Sequence, residues 1–406
     1  MHGITLTKAP ADWEILQQEN GKASVALKGN FQVHPAAIEV GVERVTPVVR
    51  VMREDDNMTV IPWTNADHFT CNEKFQGEFE VTLEIPAGGP YRIDTSLETK
   101  STVPDLTWLY RGDCVLHLGV GNLFIIAGQS NSAGYSRDFC IDPPSMDVHL
   151  YRNRNKWDIA SHPMNESTFA GSLANEEMGV PGVSPYLAFG KTYGKMTGMP
   201  VGLIQTSLGG SPMERWNPKD GDLYLNMLDK IHQTGGKYAG VLWYQGCSDT
   251  NPGPAEKYLE HFREYVEATR KELGYEIPFF TMQLNRQING INDECWGMVR
   301  DAQARAAKEI PGVSVLTTSN LSLCDGIHNT AQANVALGEK LAKQCAHVLN
   351  GKEEYQPPEL VKVERADEAE RKSFQLEGSG IWLKLTCDHV KNCFLVYSAV
   401  GKDSGF

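Results

Sequence analysis

Two rhythms of hydrophobic and polar positions divide the chain. Up to about residue 115 the apolar residues come in short runs such as "ASVALKG", "RVTPVVRVMRE", "MTVIPW" and "FEVTLEIP". Gly, Pro, Asn and Asp separate them, and no stretch has a convincing helical period. This pattern predicts an antiparallel sheet or sandwich, with "PAGGP" at 86–90 as a turn between late strands. From about residue 118, near-continuous apolar runs predict buried strands at 123–127, 201–205, 241–244, 278–284 and 313–317. Helical periods lie between them. Tyr258, Leu259, Phe262, Tyr265, Val266, Thr269 and Leu273 share one face of a helix over 255–273. Leu337, Leu341, Cys345 and Val348 do so over 331–349, with Thr330 placed as its N-cap. Apolar strands alternating with helices predict an α/β domain whose parallel sheet is covered on both faces. In such sheets chemistry gathers at the carboxyl ends of the strands.

Residues 351–406 return to β character after a charged linker, "VERADEAERK". There "GIWLKLTCD" and "NCFLVYSAV" read as a hairpin around Asp388–Lys391. The expected organisation is therefore a β-sandwich-like domain over 1–115, a catalytic α/β domain over 116–350, and a linker with a β segment over 351–406. That last segment is expected either to complete the first domain or to belong to a longer chain.

Composition narrows the partners. The 406 residues are 41% hydrophobic and 22% charged, as in ordinary globular proteins, and the length favours more than one domain. A net charge of −13 argues against nucleic acid or an anionic membrane as the main partner. No apolar run approaches the roughly 20 residues needed to span a bilayer. The first residues show no basic flank followed by an apolar core, and the nine cysteines form no CxxC pair. Reduced thiols and a cytoplasmic location are the expectation. A homo-oligomer is compatible with the sequence, which does not decide it.

Four strand ends carry polar groups suited to chemistry. Ser130, after "LFIIAGQ", sits at a strand-to-helix turn; it reads equally as a helix cap or as a nucleophile in need of a base. Asp325 and His328 in "CDGIHN" are spaced so that a tight loop can bring a base and its orienting carboxylate together. Metal ligation is the other functional reading there, but no further His or Cys cluster stands nearby, and no metal is expected. Gly209 and Gly210 in "TSLGGSPMERW" suit a backbone oxyanion site or a plain turn. Gln245 in "LWYQGCSD" suits an amide donor or a structural glutamine.

Taken in order, "GQSNSAG", "SLGGSPMERW", "WYQGCSD" and "DGIH" resemble the SGNH-type carbohydrate acetylesterases, the group of sialate O-acetylesterase-like and plant-type acetylxylan esterases, over residues 118–348. The resemblance implies a three-layer α/β/α fold of flavodoxin-like style. It implies Ser130 as nucleophile and oxyanion donor, His328 as general base and Asp325 as its partner. Gly210, ahead of Gly209, and the Gln245 side chain would complete the oxyanion hole. The implied enzyme removes O-acetyl groups from carbohydrates without a metal or organic cofactor. Gln129, Asn131, Trp216, Arg215 and Cys247 are the expected substrate-side residues. Gln129 and Asn131 would also hold the serine turn, and Arg215 would pair with a substrate carboxylate or with Glu214 or Asp220. Two positions depart from the family pattern. Ser132 stands where Met is usual, with an expected effect on the acyl pocket, and Cys247 stands where W-x-Q-G-E has its Glu. The polar character of the 136–182 loops argues against the alternative of an esterase for lipid-type substrates. An inactive carbohydrate-binding relative is the remaining alternative.

Overall fold

The computed structural model describes residues 2–102, 109–288, 290–351, 359–373 and 382–388. They fall into two compact units, 1–342 and 343–406.

In the first unit, β1 (Gly3–Lys8), β3 (Lys22–Gln32), β6 (His68–Phe69) and β7 (Gln76–Pro86) form an antiparallel sheet in the order β1-β3-β7-β6. Strands β3 and β7 alternate buried and exposed residues along their length, as the sequence rhythm required. Their inward side chains, among them Val25, Leu27, Phe79, Val81 and Ile85, share one core with β4 (Val42–Arg53), β8 (Gly88–Ser101) and β9 (Leu109–Gly128). A short helix, α1 (Pro35–Glu39), interrupts the strands where none was expected. Strand β5 (Thr59–Asn65) pairs β4 at the edge, and β2 (Ile15–Gln17) pairs β9 in parallel.

The long strand β9 belongs to both layers of organisation. Its first half pairs antiparallel with β8, and its second half is the central strand of a parallel sheet. The order there is β11-β10-β12-β9-β13-β14-β15, with β10 (Val148–Tyr151), β12 (Val201–Gln205), β13 (Gly240–Tyr244), β14 (Phe279–Met282) and β15 (Val313–Leu316) all parallel. Only the edge strand β11 (Trp157–Ile159) is antiparallel. The five apolar runs singled out in the sequence are β9, β12, β13, β14 and β15.

Helices α3 (Tyr186–Thr197), α4 (Asp222–Gln233), α5 (Pro254–Leu273) and α6 (Asp293–Glu309) connect the strands of this sheet, and α7 (Ala331–Asn350) follows the last of them, β15; a single turn, α2 (Ser130–Ala133), follows β9. Tyr258, Phe262, Tyr265 and Val266 of α5 are fully buried in a core with Trp243, Trp216 and Phe279. Thr330 caps α7 through the Ala333 N–H. The Ser130 turn leaves β9 between β12 and β13, where the chain switches from one half of the sheet to the other. That switch point is where such folds open a crevice.

In the second unit, β16 (Glu359–Arg365) pairs antiparallel with β17 (Leu383–Asp388), with α8 (Glu368–Ser373) between them. This corrects the linker reading, because "VERADEAERK" contributes the end of a strand and a helix turn. The strand expected at 392–400 lies outside the described residues.

Candidate active site

The backbone must turn sharply at the end of β9. Gly128 adopts φ 133°, and a Cβ there would fall 2.2 Å from the Tyr244 carbonyl oxygen, so only glycine fits. The turn places Ser130 at the first position of α2, 4% exposed. Its Oγ lies 2.9 Å from Nε2 of His328, and Nδ1 of the same ring lies 2.6 Å from Asp325 Oδ2. The three residues therefore meet in one hydrogen-bonded line from two loops 198 residues apart. The other carboxylate oxygen of Asp325 accepts the N–H groups of Ile327 and His328 at 2.8 and 2.7 Å. Burial works to raise the Asp325 pKa, but these N–H groups and the imidazole outweigh it and hold the carboxyl below its ordinary value. An ionised carboxylate on Nδ1 fixes the tautomer that leaves Nε2 free to accept the serine proton.

Neighbouring amides lock the two loops together. Asn131 donates to the Ile327 carbonyl and accepts the Asn329 N–H, both at 3.1 Å. Asn329, fully buried, also joins Asn285, Asn334 and Tyr244. Gln129 accepts the N–H groups of Gly246 and Ser248. Gln129 and Asn131 thus hold the turn, and both side chains are committed to the fold.

The oxyanion side differs from expectation at two residues. Both N–H groups of the Gln245 amide are engaged, with the Ser211 carbonyl at 3.1 Å and with Asp249 at 2.5 Å. The side chain is wholly buried, so it is not a free donor. Gly209 gives its N–H to Glu177 Oε2 at 2.8 Å. Gly210 stays open: it lies at φ 67°, exposed, and its N–H donates to no group among the described residues. The Ser130 N–H is likewise uncommitted at the head of α2. Two backbone donors, Ser130 and Gly210, remain for a developing negative charge.

Three other expectations are also corrected. Trp216 is fully buried against Trp243 and donates to Ser211, which makes it core. Arg215 forms a two-pronged pair with Asp222 and also reaches the Ala174 carbonyl, so its partner is neither Glu214 nor Asp220. Ser132 is buried behind the turn, bonded to Tyr186 and Ser207, and therefore belongs to the core and not to an acyl-pocket wall. Cys247 is partly buried against the core, and burial pushes its thiol up to about 12, so it stays neutral where the family pattern has a carboxylate. Asp325 is then the one carboxylate bonded to His328 among the described residues.

Sequence reasoning missed Glu177. Its two oxygens accept Tyr135 Oη, the Gly179 N–H, Asn165 and Gly209, so it ties the 165–179 loop to the glycine turn. The Tyr135 ring packs 5.3 Å from that of His328. A lone Glu in a polar loop has no periodicity to mark it. Among the described residues no group of three or more His, Cys, Asp or Glu is arranged to hold a metal ion.

A family model for "Carbohydrate esterase, sialic acid-specific acetylesterase" matches residues 120–347, more than half of the chain. The chain belongs to this family. It is a carboxylic ester hydrolase of the carbohydrate esterase class. A probable carbohydrate esterase of Arabidopsis thaliana is 26% identical over 245 residues, covering 54% of this chain and 88% of that protein. A carbohydrate acetylesterase from Xanthomonas citri has a similar structure, with a TM-score of 0.53 and 20% identity over 89% of this chain and 79% of that one. That likeness extends beyond the residues matched by the family model and shows a shared fold.

Proposed function

We propose that this member of the family removes O-acetyl groups from carbohydrates through a Ser130–His328–Asp325 acyl-enzyme mechanism. The observation that carries it is the single imidazole bridging Ser130 Oγ and Asp325 at 2.9 and 2.6 Å. His328 Nε2 takes the serine proton as Oγ attacks the acetyl carbonyl. The oxyanion is met by the N–H groups of Ser130 and Gly210, each typically worth on the order of 100–1,000-fold in rate. Collapse expels the sugar alkoxide, which takes the proton from His328. Water, deprotonated by the same ring, then releases acetate and restores Ser130. The serine, imidazole and carboxylate supply nucleophile, base and orienting charge, so these steps need no added group.

A second reading has its own observation. Apolar side chains crowd the loops around the site: Leu173 (85% exposed), Met178 (90%) and Val180 (68%) lie on the strip that includes Glu177, and Ile288 (57%) bonds through its N–H to Gly326. The polar residues of this region had argued against an apolar substrate, but these apolar side chains are presented to solvent alongside exposed polar ones such as Arg137, Asp138 and Glu176. The apolar ones favour an ester whose alcohol or acyl part has an apolar face.

A substrate panel separates the two. Acetate release is measured from acetylated xylo-, manno- and sialo-oligosaccharides, alongside chromogenic esters of increasing acyl length. The proposal expects kcat/KM to be highest for an acetylated carbohydrate and to fall as the acyl chain grows. A rising profile with chain length, and no acetate from any carbohydrate, would replace it by the second reading.

A further inference from the structure

Behind the glycine turn, α4 sends Lys230 into the interior, where it is 1% exposed. Its ammonium meets no carboxylate among the described residues. It donates to Asn153 Oδ1 and Asn175 Oδ1, both at 3.1 Å, and to the Gln205 carbonyl at 2.5 Å. A buried cation without a counter-ion is expensive, and burial lowers this amine to about 7. Helix packing alone would be met more cheaply by Met or Leu.

The three acceptors share a destination. Gln205 ends β12, and its carbonyl is held directly. Asn175, oriented by the ammonium through its oxygen, uses its nitrogen to bond the next two carbonyls, Thr206 at 3.3 Å and Ser207 at 2.7 Å. Asn153, oriented in the same way, donates to Asn165 at 2.7 Å; Asn165 donates to Glu177 at 2.9 Å, and Glu177 accepts the Gly209 N–H. Every arm from the ammonium thus ends on the segment 205–209, the stem that aims the Gly210 N–H. An amide can point its oxygen or its nitrogen either way; a cation that only donates fixes the oxygens inward and the nitrogens toward the stem.

We propose that Lys230 is a positioning residue for the oxyanion turn, its buried ammonium setting the orientation of Asn153 and Asn175 and through them the direction of the Gly210 N–H. This rests on the acyl-enzyme reading above. The donor it aims is used most as charge develops on the carbonyl oxygen, so its loss falls on kcat and not on substrate binding.

The test uses the full chain and a chromogenic acetyl ester. The wild type and Ser130→Ala come first: an active wild type silenced by the substitution secures the underlying reading, and an inactive wild type overturns both. With that in hand, Lys230→Met is expected to lower kcat by about 10-fold or more while KM changes by less than about 3-fold. Asn175→Ala cuts one arm while leaving the lysine in place and is expected to lower kcat in the same way. The double variant should be no worse than about the poorer single one, because both act through one stem. A Lys230→Met enzyme within twofold of wild type in kcat, or one impaired only in KM, overturns the positioning role. If Lys230→Met does not fold, Asn175→Ala decides alone, and an unchanged kcat overturns the proposal.

Discussion

Asp325 shows how few atoms fix the chemistry of the proposed base. One oxygen receives two backbone N–H groups of its own loop and the other receives the imidazole, so ring and loop form one rigid unit. Asp325→Asn would turn an acceptor-only group into one that can present N–H to Nδ1, favouring the wrong tautomer. We expect kcat to fall by roughly 100–10,000-fold with KM little changed, read by acetate release. Gly210→Ala is a gentler probe. Its Cβ would meet nothing within 4 Å, but φ 67° strains any L-residue by about 1 kcal/mol, and the relaxation turns the N–H away. A drop in kcat of about 10-fold or more, with an unchanged melting temperature to within a few degrees, would be the signature. At this scale the sequence was a good guide to which residues meet and a poor one to what each does. Ser130, Asp325 and His328 come together as their spacing and strand-end placement suggested. Gln245 and Trp216 sit where expected along the chain, but their polar atoms face inward. Motif position carries no information on where a side chain's last hydrogen bond goes.

The elements were legible in proportion to their burial. Strands covered on both faces announce themselves as unbroken apolar runs, and all five such runs are strands of the sheet. The edge strand β11 and its neighbour β10 are three and four residues long and leave no comparable run. The continuity of β9 was hidden as well, since a change from one-sided to two-sided burial along one strand looks like a boundary between domains. Helix α5 was readable because its aromatic stripe is the core. Phe262 packs against Trp243, Tyr265 and Phe279, and we expect Phe262→Ala to cost about 3–5 kcal/mol, seen as a fall of the chemical-denaturation midpoint. Asp138 has the opposite character: exposed and far from α7 in sequence, it accepts the Ala331 N–H with both oxygens at 3.0 Å. Removing it should cost about 1 kcal/mol, a cap effect that no local sequence pattern announces.

At the scale of the whole molecule, β9 runs from the core of the N-terminal strands to the turn that carries the proposed nucleophile. His149 of β10, a strand separated from β9 by β12, is wholly buried, with its ring nitrogens 2.8 Å from the carbonyls of Trp13 and Met146 and its ring edge-on to Trp13. Burial outweighs those carbonyls and lowers its pKa to about 4. The folded value lies below the unfolded one, so the unfolded chain takes up a proton first as the pH falls. This contribution to stability is present above about pH 6.5 and is lost progressively toward pH 4. Denaturant midpoints across that range should decline in the wild type and decline less in His149→Gln; equal slopes would contradict this assignment.

The central claim is that Ser130, activated by His328, forms the acyl-enzyme. Its most direct measurement is acetate release by the wild type and by Ser130→Ala on the best carbohydrate acetate of the panel, with trapping of the acetylated protein and mapping of the modified residue. The account predicts a loss of at least about 1,000-fold in the variant and an acetyl group on Ser130 in the wild type. A variant that releases acetate at the wild-type rate, or an acetyl group mapped to any other residue, would contradict it.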